Sequence, residues 1–528
     1  MNGYKNLVGK ILSENLKLEP SKLNDFVNSV YFKHALTHKS FSKINNYEYV
    51  ELRGDCIVNL ALTQYIKKRF PMIISSQWLT KIYHKLRGTV YLSKISEDLG
   101  FYKYILYNKS AGDVDDKKML EDCFEAFFGA IILESERKWD RAIGYNLSYT
   151  IISNLYDDYN LDLNIENYFD SKSRIKEIYD YMKWGALSPE KEKYDTIRKS
   201  YNVKLKSYPL GDRSVKNENI VVISAYSRNS YEEAFDFLYK NALNVMRKYE
   251  IYERISDPYK IVAEAVGKYD YPILSEEFRN KIKNILLLCG LNEYYINMFT
   301  QNIFLIEFRK CFIDENFDPY NNQDLYSFEG HAAVDCIFIS YLTKKLKIYN
   351  EHFLTHTKHK LIGKSDIFQK IYEDFEFEKY ELYSSESKES YEKYDKSKNK
   401  SYRKFVKRCI KSLIGCIVHN IDKSTQIGIG YTAAYKLLEG YADNVKLSSD
   451  INQNLSYKTQ LKEVYDGLRR SGYGDLKSNL FFTQDPNTKI YTVKITFKGN
   501  VIAESSNQLK SDAEENASKI ALSKIQKR

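Results

Sequence analysis

Four blocks of the chain occur twice in the same order, and this internal duplication limits the fold more than any composition does. GDCIVNLALTQYI (54–66) matches VDCIFISYLTKKL (334–346) without gaps, which sets Asp335 opposite Asp55. WLTKIYHKLRG (78–88) parallels FLTHTKHKLIG (353–363), and ISEDLGFYKYILY (95–107) parallels IYEDFEFEKYELY (371–383). LEDCFEAFFGAIIL (120–133) parallels VKRCIKSLIGCIVH (406–419), and further on SRIKEIYDYMKWG (173–185) parallels TQLKEVYDGLRRSG (459–472). The order implies a duplicated pair of modules, one large and one small.

The large modules read as helical. Apolar residues recur at the helical period, as in Leu120, Phe124, Phe127, Phe128 and Ile131, and strand signals are few. The small modules carry β-branched and Tyr-rich runs, YNVKLKSY and IVVISAY in one and IYTVKITF and VIAE in the other, between helical segments. The expected fold class is mainly α with α+β modules, divided as 1–160, 167–250, 275–445 and 455–528. The charged, Ser-rich run SSESKESYEKYDKSKNKS (384–401) is expected to be a solvated loop expansion.

Composition removes several classes of function. With 43% hydrophobic and 28% charged residues the chain is globular, not disordered. No run approaches the roughly 18 apolar residues of a membrane span, and the start MNGYKNLVGKILSEN has no signal-peptide core, so an intracellular protein, cytoplasmic or nuclear and not secreted, is expected. Seven cysteines without a C-x-x-C pair and eight scattered histidines argue for reduced buried thiols and against structural zinc. Any metal would be held by oxygen. A formal charge of +10 favours a polyanionic partner without identifying it.

Two helices carry carboxylates at helical spacing. Glu51 and Asp55 are four apart in YEYVELRGDCIVNLAL, and Asp122 and Glu125 are three apart in LEDCFEAFFGA. On spacing alone these acids read sooner as solvated faces of two amphipathic helices than as a metal site. If they were buried together they would need cations, and Mg2+ with oxygen ligands is the usual partner of phosphodiester chemistry.

The blocks HALTHKSF (34–41), YEYVELRGDCIVNL (47–60) and EDCFEAFFGAII (121–132) resemble, in order and spacing, the catalytic domain of the ribonuclease III family, whose signature is roughly NERLEFLGDxxL followed by a distal D-x-x-E and A-x-x-GA. The resemblance implies that Glu51, Asp55, Asp122 and Glu125 are the catalytic, metal-binding carboxylates, with Glu48 as an accessory acid. It implies a Mg2+-dependent endoribonuclease, with Mn2+ as a substitute ion, that cuts double-stranded RNA to 5′-phosphate and 3′-hydroxyl ends. Tyr49, Val50 and Arg53 depart from the family's Arg, Leu and Leu.

In the second copy the ungapped match keeps Asp335 but sets His331 at the place of Glu51, Arg408 at Asp122 and Lys411 at Glu125. Cations at ligand positions repel a metal, so this copy is expected to be inactive. Ribonuclease III domains resemble obligate pairs, which implies either intramolecular pairing of the two copies or a homodimer. Residues 456–526 resemble a double-stranded RNA-binding domain, of α-β-β-β-α pattern, and the resemblance implies RNA contacts at Thr459, Glu463, Asn487 and Lys510. The first small module resembles it with Tyr231, Glu232 and Glu233 where the second has Lys510, Ser511 and Asp512, which would repel phosphate. A non-catalytic RNA-binding or scaffold subunit is the rival reading.

Overall fold

The structure, a computed structural model, describes residues 3–71, 73, 76–108, 115–157, 159, 161, 163–208, 221–252, 274–347, 351–363, 367–392, 399–447, 456–468, 479–485, 488, 490–497 and 499–525. Helices dominate, and strands among the described residues are confined to two short sheets.

Each small module has its own core. In the first, the helix Ser171–Tyr181, an antiparallel sheet of Glu190–Lys191, Tyr201–Ser207 and Val221–Ser227, and the helix Tyr231–Lys248 follow in order. Val203 and Leu205 alternate onto the face that meets Ala234 and Leu238. The second repeats the order with Tyr457–Leu468, strands Leu480–Gln484, Tyr491–Phe497 and Asn500–Asn507, and Lys510–Ile525. Here Val493 and Ile495 pack on Ala513 and Ala517, beneath Leu461 and Tyr465.

The two large modules, by contrast, share one continuous apolar core. In each, two long helices cross at a pair of glycines. Glu48–Arg69 meets Asp116–Lys138 so closely that a Cβ on Gly54 would lie 1.6 Å from the Glu125 carbonyl oxygen, and one on Gly129 would lie 1.9 Å from that of Val50. Asp324–Leu346 meets Lys400–Ser424 in the same way, Gly330 against the Lys411 carbonyl at 1.8 Å and Gly415 against that of Tyr326 at 2.1 Å. Only a residue without a side chain fits at such a crossing.

These crossings correct the register read from the sequence. Gly330, not Val334, is the counterpart of Gly54, because the Val334 side chain could not enter the contact. The equivalences in this helix shift by one turn: Ser327 stands for Glu51, His331 for Asp55, Glu329 for Arg53 and Asp335 for Asn59. The distal helix keeps its expected register, with Arg408 for Asp122 and Lys411 for Glu125. No acid of the quartet therefore persists in the second copy.

The two large modules meet through equivalent positions. Tyr145 and Tyr431, equivalent by the glycine register, stack with ring centroids 5.2 Å apart, and Gly428 lies against the backbone of its counterpart Ala142. Buried polar groups flank this seam. On one side Arg53 pairs with Glu136 at 2.8 Å, and Ser340 donates to Glu136 at 3.0 Å. On the other, Glu329 is met by Lys67 at 3.1 Å, by His419 Nδ1 at 3.1 Å and by Gln64 at 2.9 Å. Gln64 also donates to Asp422 at 3.0 Å.

The run 384–401 differs from its expectation as a loop: Ser385–Glu392 is helical, and Lys400 opens the next helix. Its polar composition hides one apolar anchor. Tyr391 is buried beside Tyr402 and Phe405 and donates to Asp314 at 3.0 Å. Residues 393–398 lie outside the described residues. All seven cysteines are buried and unpaired, as expected. Among the described residues no helix is long and apolar enough to cross a membrane.

Candidate active site

The Gly54–Gly129 crossing sets the acid-bearing faces of two helices side by side. Glu51, Asp122 and Glu125 each offer a carboxylate oxygen, and these atoms lie within 4.8 Å of one another. Glu125 is fully buried. Burial pushes its carboxyl well above the usual range; Arg87 opposes the rise, and Asp55, Glu51 and Glu121 add to it. Neither Glu125 oxygen accepts a well-formed hydrogen bond.

Asp55 belongs to the same face but turns toward Arg87, with which it is hydrogen-bonded and ion-paired, and it also accepts from Asn59 at 3.1 Å. Glu48 stands apart on the surface, paired with Lys39 at 3.1 Å. The structure thus gathers three of the four expected carboxylates and holds the fourth through a guanidinium.

Sequence reasoning missed the basic side of the site. Arg87, the last residue of the helix Ser76–Arg87, reaches Asp55, Glu125 and Glu121, the last at 3.1 Å. Its Nε donates to Asn59 at 2.8 Å, and the Tyr83 hydroxyl donates to the same Asn59 oxygen at 2.7 Å. Lys118 meets Asp122 at 2.8 Å and Glu121 at 3.3 Å. One signal was available: HKLRG in the first copy reads HKLIG in the second, so Ile362 replaces Arg87 in the copy that lost the acids.

The donor set suits a hard divalent cation, since hard ions take carboxylate oxygens and Glu125 is buried with Oε1 ion-paired to Arg87 and Oε2 without a hydrogen-bond partner among the described residues. Arg87 and Lys118 supply countercharge to the same acids, so a cation there acts in addition to them.

The second copy inverts this chemistry. Lys407, Arg408 and Lys411 stand where Glu121, Asp122 and Glu125 do. Lys411 Nζ lies 3.0 Å from His331 Nδ1, and Lys358 pairs with Asp335 at 3.2 Å. A cavity of about 690 Å³ separates the two copies here, with Asp55 and Asn59 on one wall and His331, Lys407, Arg408 and Lys411 on the other.

In the second small module Lys510 opens its helix with its ammonium over the exposed Phe482 ring, 3.2 Å from the centroid. Thr459 shares a 2.9 Å hydrogen bond with Ser456 at the first helix, which also carries Glu463. Asn487 lies outside the described residues. In the first small module Ser230 caps the corresponding helix by accepting from Glu233 N.

Comparison with known proteins agrees with this geometry. Residues 28–144 match the family model described as ribonuclease-III-like. Ribonuclease 3 of Aliarcobacter butzleri (strain RM4018) is 29% identical over 190 residues, 34% of this chain and 83% of that protein. Two viral relatives also carry ribonuclease 3 in their names. That of Frog virus 3 (isolate Goorha) is 30% identical over 156 residues, 28% of this chain, and that of Invertebrate iridescent virus 6 is 28% identical over 197 residues, 33% of this chain. The chain spans 42% and 65% of the lengths of these two proteins. The segment that holds Glu51, Asp55, Asp122 and Glu125 is thus the part of the chain that matches the ribonuclease-III-like family.

Proposed function

We propose that this chain is an endoribonuclease of the ribonuclease III type that cleaves double-stranded RNA, with one acid centre per chain. The observation that carries the reading is the convergence of Glu51, Asp122 and Glu125 inside the segment matched by the ribonuclease-III-like family. These three, with Asp55, would hold Mg2+ or Mn2+. When bound, such an ion supplies Lewis-acid activation of water for in-line attack on the phosphodiester, which leaves 5′-phosphate and 3′-hydroxyl ends.

The chain's own groups do the rest. The Gly54–Gly129 contact fixes the spacing of the two acid helices. Arg87 orients Asp55 and neutralises part of the charge around Glu125, and Lys118 does the same for Asp122. A bound cation would offset the cost of burying the Glu125 charge and so favour its carboxylate form.

Pairing within the chain is favoured over a homodimer by charge. Lys67 of the first copy meets Glu329 of the second. In a homodimer of first copies it would meet Arg53, the counterpart of Glu329, and two buried cations would face each other. A single acid centre beside an inverted one nicks one strand per encounter. The second small module, with Lys510 on the outer face, would bind duplex RNA, and the acid-started helix of the first would not.

The rival reading, a non-catalytic RNA-binding scaffold, draws on the contacts of Arg87 and Lys118 with the acids. The two separate in a cleavage assay on duplex RNA with Mg2+: the nuclease reading expects cleavage by the wild type and none by Glu125→Gln, whereas a scaffold leaves the duplex intact in both.

A further inference from the structure

We propose that the inverted site of the second copy is a seat for backbone phosphates, in which Lys407, Arg408 and Lys411 directly grip successive phosphodiesters of bound duplex RNA. The proposal rests on the reading of double-stranded RNA as substrate and adds where its uncut part is held.

The first support is positional. By the glycine register these three residues occupy the places of Glu121, Asp122 and Glu125, so every acid on that stretch of the distal helix has become a cation. Ser327 at the place of Glu51 exchanges another carboxylate for a hydroxyl donor. Three consecutive reversals at one site are more than the loss of metal binding requires, since neutral residues would suffice. An acid cluster draws a cation that in turn draws phosphate; a basic cluster draws phosphate without an intermediary.

The second support is the state of Lys411. Its ammonium is half-buried, and its neighbour at 3.0 Å is the His331 imidazole. Burial drives both groups toward their neutral forms; the Asp335 carboxylate opposes this, and for Lys411 the Lys407 and Lys358 ammoniums push back against Asp335. The Asp335 carboxylate that acts on Lys411 is itself paired with Lys358 at 3.2 Å, so a phosphate would add negative charge where cations outnumber acids. Among the described residues Arg408 pairs at 3.4 Å with Glu315 and at 3.9 Å with Asp324.

The third support is the cavity. Its second-copy wall carries Lys358, Lys404, Lys407, Arg408 and Lys411 against Asp324 and Asp335, five cations against two acids, while Asp55 lines the opposite wall. A polyanion entering this cavity lies between the acid centre and the basic wall.

The test is equilibrium binding of the full chain to a duplex RNA of about 20 base pairs in EDTA, so that nothing is cleaved, followed by fluorescence anisotropy at several NaCl concentrations. Lys407→Gln with Lys411→Gln should weaken binding at least five-fold and reduce the slope of log Kd against log salt by about 1.5, near 0.7–0.9 per lost phosphate contact. Lys407→Arg with Lys411→Arg should keep the wild-type slope, and thermal melting of each variant checks that it is folded. A folded glutamine variant with the wild-type slope overturns the seat, whether or not its affinity drops. In that event duplex binding by the wild type leaves the nuclease reading standing. A wild type that binds no duplex RNA overturns both.

Discussion

Lys67 and Glu329, one from each large helical module, form an ion pair at 3.1 Å in which the carboxylate is fully buried. Burial alone would raise the Glu329 carboxyl, but Lys67, His419 and Gln64 hold it at about 2. The pair crosses the seam marked by Tyr145 and Tyr431, so it couples the stability of the two halves.

Removing either partner leaves a buried charge uncompensated. Glu329→Gln should cost about 3 kcal/mol in urea unfolding, and a double-mutant cycle with Lys67→Met should return a coupling of about 2 kcal/mol. Independent single effects would contradict the contact. The native mass should be that of one chain, 62.1 kDa.

The same seam sets a pH dependence of opposite sign. Asp422 is pushed up to about 7, chiefly by burial, with Glu329 adding to the rise and Gln64 and the Gly430 and Gly428 amides opposing it. A carboxyl raised in the folded state keeps its proton longer than in the unfolded chain, so its contribution is present at low pH and is lost as pH rises from about 4 to 7. From 3.8 to about 7 the loss is about 4 kcal/mol. Asp422→Asn should flatten the stability profile across that window. Glu329 works the other way: its contribution is present above about 4.5 and is lost as pH falls toward about 2.

The glycine crossings make a sharp test of the register. Gly54→Ala and Gly330→Ala each drive a methyl into backbone and should cost about 3 kcal/mol or more. Gly440→Ala, also on a helix but with nothing within 4 Å of the added carbon, should be neutral or stabilise by up to about 1 kcal/mol. Equal effects at all three sites would contradict the close crossings.

Arg87 offers a test of the charge balance in the acid centre. Arg87→Gln leaves Asp55, Glu121 and Glu125 without their shared guanidinium. The variant should melt lower in EDTA, and Mg2+ should raise its melting temperature more than it raises that of the wild type, because a ligand that offsets repulsion stabilises the folded state in proportion to its affinity. An equal Mg2+ response in both proteins would remove Arg87 from the site.

Much of this architecture was legible because duplication repeats apolar patterns. Phe124, Phe127, Phe128 and Ile131, placed on one helix by their spacing, are all buried. The register of the second copy was not legible, since the shared Asp-Cys-Ile of 55–57 and 335–337 outweighed a lone glycine, and only the distance between two helices shows that Gly330 is fixed by contact. Arg87 escaped notice because a single arginine at a helix end carries no motif. Its role comes from three acids brought to it by other segments. The helix Ser385–Glu392 was hidden by its polar composition, which reflects the solvent face and not the one side of Tyr391 that packs inward.

The cation-dependent cleavage of duplex RNA proposed for Glu51, Asp55, Asp122 and Glu125 can be put to a decisive test. The most direct measurement is cleavage of an end-labelled RNA duplex by the full chain with Mg2+, beside Glu125→Gln and an EDTA control. The account predicts nicked products bearing 5′-phosphates for the wild type alone, with loss of at least a thousand-fold in rate for Glu125→Gln, about 4 kcal/mol of barrier. An intact duplex in all three, or cleavage that Glu125→Gln leaves unchanged, would contradict it.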